Sequence, residues 1–198
     1  MSVIFDPARH AYSDETGRDF PSVMHILKHF GLCPDFETFG NDTAREFGRV
    51  VHRVTELNDR GTLDQYQYDH AVDPWLNGYR RFLAEFKPVW KIIEAPMLSK
   101  AWGFAGTPDR IMSFNGKIAV LDIKTGSPNV SHELQTAGYS ILFEENFKER
   151  VRQRWSLYLM PDDFRLVEHA GRSDRSIFVG LAQAYQFKLN HKLIGDEK

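Results

Sequence analysis

Hydrophobic residues recur along the chain at two different spacings, and these divide it into predicted helices and strands. In residues 42–58 the apolar positions follow the helical period of roughly 3.6 residues, and they form one stripe: Phe47, Val50, Val51, Val54 and Leu57. Further helices are predicted where apolar spacing of this kind follows a capping residue or a proline. They begin at Pro21-Ser22 and cover residues 74–85, 131–145 with Ser131 as the N-cap, and 174–193.

Shorter runs rich in β-branched and aromatic residues predict strands. The opening residues 3–23 alternate aromatic and polar positions around Glu15-Thr16-Gly17, which predicts a hairpin. Five more runs of strand length follow after residue 88, and they cover residues 89–99, 103–114, 117–125, 150–160 and 164–170. The order of these elements indicates an α/β fold with a central mixed sheet of about five strands flanked by helices.

The dipeptide Asn115-Gly116 is the strongest short signal for a hairpin turn, and it sets a register. If it forms the turn, Phe114 lies opposite Lys117, and counting outward places Asp109 opposite Asp122. Opposed residues share one face of a sheet, with Cβ atoms roughly 5 Å apart. Side chains alternate along a strand, so Lys124 projects on the same face as Asp122. A β-bulge would shift this register.

Two carboxylates that face each other across a strand pair repel, so the predicted pairing calls for a compensating charge. A divalent cation supplies that charge, because Mg²⁺ prefers one or two carboxylates together with water and phosphate oxygens. The neighbouring Lys124 would then stabilise developing negative charge or orient a water. The alternative is a solvent-exposed hairpin with ordinary ion pairs that involve Lys124 and Arg110. The apolar residues before Asp122 favour the site.

The composition narrows the class of protein further. The 198 residues carry a formal net charge of −2, which argues against a protein that only coats DNA through a basic surface. Cys33 is the only cysteine, so the chain has no intrachain disulfide, cysteine-based zinc site or four-cysteine iron–sulfur cluster. No apolar run reaches the roughly 20 residues of a membrane-spanning helix, and the start lacks a secretory signal pattern. We therefore expect a cytoplasmic protein with no membrane partner.

Four motifs in order along the chain resemble those of a known family. Pro108-Asp109 followed by Asp122-Ile123-Lys124 resembles the signature of the PD-(D/E)xK nuclease superfamily. The segment from Gly48 to His52 resembles the GxxxH helix of its RecB-like branch, and the segment from Gln135 to Tyr139 resembles the QxxxY helix of that branch. The sequence around these motifs is similar to the sequences of phage and prophage exonucleases, and the similarity runs along nearly the whole chain.

The resemblance implies a role for each matching residue. It implies that His52, Asp109 and Asp122 are metal ligands together with the backbone carbonyl of Ile123, and that Lys124 is the catalytic lysine. For His52 the alternative is a histidine on a helix surface, and for the acids it is a surface ion-pair cluster. Three further residues match more loosely: Glu94 as a group beside the metal ligands, and Gln135 and Tyr139 as residues that touch DNA or orient Lys124. Each of these three is as well explained by ordinary packing or surface charge.

The fold and function implied by the resemblance are those of a restriction-endonuclease-like core. Residues 1–198 would form a single nuclease domain, with the hairpin and first helices in residues 1–87 and the catalytic core in residues 88–198. The expected activity is that of a DNA exonuclease dependent on Mg²⁺ or Mn²⁺, in phage-type recombination or DNA end processing, with double-stranded DNA that has free ends as the partner. An endonuclease or repair nuclease and a non-catalytic DNA-binding descendant are the alternatives. The sequence leaves open whether the protein forms a homo-oligomer or binds a recombination partner protein.

Overall fold

The computed structural model describes residues 3–7, 9–33, 42–64 and 67–194. The N-terminal segment forms a small antiparallel sheet of β1 (Val3–Asp6), β2 (Ala11–Asp14) and β3 (Asp19–Phe20). Strands β2 and β3 enclose the predicted turn, where the N–H of Gly17 donates to the carbonyl of Asp14. The predicted hairpin is therefore confirmed, with β1 added on the outer side of β2.

Five α-helices lie close to their predicted positions. They are α1 (Val23–His29), α2 (Asp42–Arg60), α3 (Asp73–Phe86), α4 (Ser131–Phe147) and α5 (Asp174–Asn190), and a short 3-10 helix (His70–Val72) precedes α3. In the described ranges, no helix combines the length and the apolar character that crossing a membrane requires.

The predicted cap of α4 is wrong. Ser131 is the first helical residue and is buried, and its N–H donates to the side-chain oxygen of Asn129. The Asn129 side chain therefore satisfies one of the free N–H groups at this helix start. At α1, by contrast, Ser22 is the N-cap at the predicted helix start, because its hydroxyl accepts from the N–H of His25.

Seven strands follow α3, because the first two predicted runs are each divided in two. The strands are β4 (Val89–Ile93), β5 (Met97–Ser99), β6 (Phe104–Gly106), β7 (Arg110–Phe114), β8 (Lys117–Lys124), β9 (Gln153–Met160) and β10 (Asp163–Glu168). Pro96 lies in one interruption and Pro108 in the other, and proline has no N–H to offer a ladder. Strands β5 and β6 pair with each other in a separate two-stranded sheet.

The main sheet has five strands in the order β10-β9-β8-β7-β4. Strands β8 and β9 are parallel and are connected through α4, whereas the other neighbours are antiparallel. This is the expected α/β fold with a mixed sheet. The register around Asn115-Gly116 is confirmed from Phe114 opposite Lys117 to Arg110 opposite Leu121. The ladder ends there, so Asp109 lies one residue beyond the paired part of β7.

Apolar clusters cover both faces of the main sheet. Ile111 and Val120 pack into the cluster that includes residues of α1, α4 and α5, whereas Met112 and Leu121 pack into the cluster of α2 and α3. Because side chains alternate along each strand, Asp109 and Asp122 share the first face and Arg110 lies on the second. Asp109 and Asp122 therefore lie on one side of the sheet. Arg110 lies on the other side, which faces α2.

Gly78 in α3 provides a test of this packing. A Cβ at this position would lie 2.2 Å from the carbonyl oxygen of Asp163, which is backbone and cannot move aside cheaply. We expect Gly78→Ala to lower the free energy of unfolding by roughly 2 kcal/mol, because overpacking outweighs the gain in helix propensity. Gly180→Ala in α5 is the matched control, since nothing lies within 4 Å of its Cβ position. It should raise stability by about 0.5–1 kcal/mol. Equal effects in urea denaturation would contradict this packing.

Candidate active site

A cavity of about 490 Å³ opens between the N-terminal sheet, helix α2 and the segments that flank β7. Helix α2 contributes Gly48 and His52 to its lining, and the residues that directly follow β4 and directly precede β7 contribute Glu94 and Asp109. Tyr139 of α4 also borders it. The cavity thus has the volume of a small-molecule site, and three titratable side chains converge at its wall.

His52, Glu94 and Asp109 form the closest group of potential metal ligands among the described residues. One ligand atom of each lies within 4.8 Å of those of the other two, and His52 Nδ1 lies 3.5 Å from Asp109 Oδ1. Glu94 directly follows β4 and has a left-handed backbone, with φ of 46°. Such a conformation is costly for a residue other than glycine and is found preferentially at functional sites. It turns the chain so that the Glu94 carboxylate joins the other two side chains.

A buried arginine holds this group in place. The Arg110 side chain has no exposed surface and forms an ion pair of 2.6 Å with Asp59 of α2, which is equally buried. One of its terminal nitrogens lies 3.1 Å from Glu94 Oε1 and donates to the backbone carbonyl of Asp109 at 2.7 Å. Tyr79 of α3 also donates its hydroxyl to Asp59. Arg110 therefore connects the helix that carries His52 to both acids.

Asp122 and Lys124 stand beside the group on the same face of the sheet. Lys124 Nζ lies 2.7 Å from Asp122 Oδ2, and only 1% of the Asp122 side chain is exposed. Asp122 Oδ1 is buried without a hydrogen-bond partner among the described residues. Asp109 Oδ2 accepts a hydrogen bond of 2.6 Å from the N–H of Ile123. The last contact joins the two strands at the point where their regular ladder has ended.

Helix α4 supplies a pair of residues behind Lys124. Gln135 Oε1 accepts a hydrogen bond of 2.9 Å from Lys124 Nζ, and Gln135 Nε2 donates to the hydroxyl of Tyr139 at 3.1 Å. Gln135 and Tyr139 are both buried and lie one turn apart on one helix face. Lys124 is thus hydrogen-bonded to Gln135, which is in turn hydrogen-bonded to Tyr139.

The three acids of the site have very different pKa values because their surroundings differ. Burial alone would raise the pKa of Asp109, but His52, Lys124 and the N–H of Ile123 outweigh it and lower the pKa to about 2. Burial and the negative charge of Asp109 raise the pKa of Glu94 to about 8. Burial raises the pKa of Asp122 to about 6, although Lys124 opposes the rise. Without a cation, Glu94 therefore retains its proton near neutral pH, whereas Asp109 is ionised.

These residues fit a divalent cation. An imidazole and two carboxylates converge, and Asp122 adds a buried oxygen that lacks a partner. A cation would satisfy that oxygen and displace the proton that burial and the charge of Asp109 hold on Glu94. Mg²⁺ takes oxygen ligands of this kind, and Mn²⁺ also accepts imidazole.

The structure groups the predicted residues differently from the sequence in one respect. Glu94, expected only beside the metal ligands, joins His52 and Asp109, whereas Asp122 contacts Lys124 instead. Sequence reasoning missed Asp59 and treated Arg110 only as a member of a surface ion pair. A signal for Asp59 exists, because it continues the buried helical row of Val51 and Thr55 at intervals of four residues.

The sequence profile of the PD-(D/E)XK nuclease superfamily matches residues 25–183. Among curated proteins, no sequence matches this chain.

Two solved structures are similar in fold. A candidate exonuclease from Eubacterium rectale superposes with a TM-score of 0.54 at 11% identity, over 89% of this chain and 83% of that one. At that identity the likeness concerns the fold alone. A second structure, SSO0001, is 22% identical with a TM-score of 0.40, over 75% of this chain and 72% of that one.

The raised pKa of Glu94 predicts a gain in stability when its charge is removed. The pKa of Glu94 is 4.5 in the unfolded chain and about 8 in the folded state. The folded state therefore binds this proton more tightly, and stability falls as the pH rises from 4.5 to about 8. Glu94→Gln retains an acceptor for Arg110 and cannot ionise. In a metal chelator at pH 8.5 we expect it to raise the free energy of unfolding by on the order of a few kcal/mol. At pH 4 the difference should vanish.

Thermal unfolding at both pH values measures this difference. Glu85→Gln is the control, because Glu85 is exposed on α3, and it should change stability at neither pH. A Glu94→Gln protein less stable than the wild type at pH 8.5 would contradict the electrostatic description of the site.

Proposed function

Because the chain belongs to the PD-(D/E)XK nuclease superfamily, we propose that it is a DNA exonuclease that depends on a divalent cation. The observation that carries this proposal is the convergence of His52, Glu94 and Asp109 in one cavity, with Asp122 and Lys124 beside them. A binding protein without catalysis would have no need for buried acids whose charges repel. Such charges are costly unless they are paired or hold a metal ion.

In this proposal His52, Asp109 and Asp122 hold the cation together with the backbone carbonyl of Ile123, and Glu94 is an additional carboxylate ligand. Mg²⁺ or Mn²⁺ is the ion. A bound cation of this kind supplies Lewis-acid polarisation of the scissile phosphate and lowers the pKa of an attacking water. The unpartnered Oδ1 of Asp122 and the short ligand distances within the group support this assignment.

Lys124 is the catalytic residue that acts on developing charge. Burial alone would lower the pKa of Lys124, but Asp122 and Asp109 outweigh it and raise the pKa, so the side chain stays an ammonium group. Its hydrogen bond to Gln135 restricts it to one direction, and Tyr139 holds Gln135 in turn. An oriented ammonium stabilises the extra negative charge of the phosphate transition state or positions the water without reorganising. Gln135 and Tyr139 are thus positioning residues.

The finer assignment rests on the motifs that resemble the RecB-like branch. The helix from Gly48 to His52 and the helix from Gln135 to Tyr139 carry that resemblance. We propose that residues 1–198 act as one nuclease domain on double-stranded DNA with free ends, in phage-type recombination or DNA end processing. A bacterial or phage-infected cytoplasm is the proposed setting, and a homo-oligomer or a recombination partner protein fits that role.

Substitution of the lysine tests the catalytic proposal. We expect Lys124→Ala to reduce cleavage of an end-labelled linear duplex in Mg²⁺ or Mn²⁺ at least about 100-fold, because a preorganised donor to the transition state is lost. Lys117→Ala is the matched control, since Lys117 is exposed at the other end of the same strand. It should cleave as the wild type does. Equal cleavage by all three proteins, or no cleavage by the wild type, would refute the proposed nuclease.

The dependence on DNA ends tests exonuclease against endonuclease. We expect the wild-type protein to degrade linear duplex DNA and to leave a covalently closed circle of the same sequence intact over the same time. Gel analysis with a circle linearised by a single cut provides the internal comparison. Conversion of the closed circle to linear or nicked product would assign an endonuclease with the same core chemistry.

A further inference from the structure

An aromatic cluster lines the cavity next to the candidate metal ligands. The Phe5 ring lies 5.3 Å from the His10 ring and 4.8 Å from the Tyr12 ring, measured between centroids. Tyr12 is buried, Phe5 is half-buried and His10 is exposed. The Tyr12 hydroxyl is hydrogen-bonded to Thr107 at 2.9 Å. Because Thr107 lies two residues before Asp109, the cluster is anchored to the chain segment that carries the acid.

His10 is held at this place at a cost. Its backbone is left-handed, with φ of 50°, a conformation that side chains other than glycine seldom adopt. Its ring meets both Phe5 and Tyr12 edge-on. Burial and the nearby charge of Lys28 lower the pKa of His10, which favours the neutral imidazole. The His10 ring, with part of its surface exposed, is thus presented at the cavity by a left-handed backbone.

Two arginines of α2 line the same cavity. Arg49 and Arg53 are four residues apart and therefore lie on one face of the helix. Their side chains are 74% and 61% exposed, and they pair with Glu46 and Glu56 on the helix surface. Exposed ion pairs such as Arg49–Glu46 are weak, and Arg53 shares Glu56 with Arg60, so a phosphate can compete for either arginine. The cavity consequently offers an aromatic surface and a cationic surface close to the same acids.

This combination is the one that single-stranded nucleic acid requires. Proteins that bind a single strand stack its bases on aromatic side chains and follow its phosphates with positive charge. A volume of about 490 Å³ is typical of a pocket for a small molecule. A short stretch of one strand fits such a volume, and an unpaired strand exposes the base faces that stack on aromatic side chains.

We propose that the cavity takes the unpaired end of one DNA strand, with bases stacked on His10 and Phe5 and phosphates beside Arg49 and Arg53. The inference rests on the proposed function. The DNA that reaches the proposed metal site is then a single-stranded overhang, or a duplex end whose strands have separated. The aromatic cluster then selects an unpaired end, and the acids lie next to the bound phosphates.

Binding without cleavage tests this inference. Fluorescence anisotropy in a metal chelator would compare a labelled oligothymidine with a blunt-ended hairpin duplex of the same length, so the result does not depend on catalysis. We expect tighter binding of the single strand. His10→Asn removes the ring but tolerates a left-handed backbone, and we expect it to weaken binding of the single strand about tenfold. Ile4→Ala is the control, because Ile4 is exposed and adjacent to Phe5 on β1.

An abasic strand separates stacking from a general structural effect. His10→Asn and the wild type should bind an abasic strand equally weakly, because neither complex contains a stacked base. Arg49→Ala and Arg53→Ala should weaken both kinds of strand and reduce the salt dependence of binding. The inference is overturned if the single strand does not bind, if the duplex binds as tightly, or if His10→Asn has no effect. An equal loss with the abasic strand would also overturn it. The cleavage assay with Lys124→Ala tests the proposed nuclease activity independently of this binding experiment.

Discussion

The buried ion pair between Arg110 and Asp59 is the interaction on which the site depends. It joins α2 to β7 inside the apolar cluster, and the same guanidinium reaches Glu94 and the carbonyl of Asp109. Charges in such a place are stable only as a matched set, since removing one partner of a buried pair costs roughly 3–5 kcal/mol. The position of His52 relative to the two acids is therefore set from the far side of the sheet.

The acids that this ion pair holds together differ strongly in their pKa values. Asp109 stays ionised because His52, Lys124 and a backbone N–H surround it, whereas Glu94 and Asp122 hold protons more tightly. The repulsion and the left-handed backbone at Glu94 are costs that the surrounding fold supports. A divalent cation relieves both the repulsion and the missing partner of Asp122 Oδ1. The local destabilisation is thus consistent with a site built for a ligand.

Much of this arrangement could be predicted from the sequence, because it follows from periodicity and turn chemistry. Helical spacing placed His52 on α2, and Asn115-Gly116 set the register that brings Asp109 toward Asp122. The place of Glu94 could not be predicted in this way. It depends on a register irregularity between Trp90 and Ile92 and on a positive φ, both of which tertiary contacts determine. The prediction of Ser131 as the N-cap of α4 was wrong because the side chain of Asn129, and not that of Ser131, accepts a hydrogen bond at this helix start.

The most direct test of this account is a titration of the protein with Mn²⁺, followed by electron paramagnetic resonance of the free ion. We expect saturable binding by the wild type and its loss in Asp109→Asn, which keeps the size of the side chain but removes the negative charge that lies beside His52. Mn²⁺ binding that is absent in the wild type, or unchanged in Asp109→Asn, would contradict it.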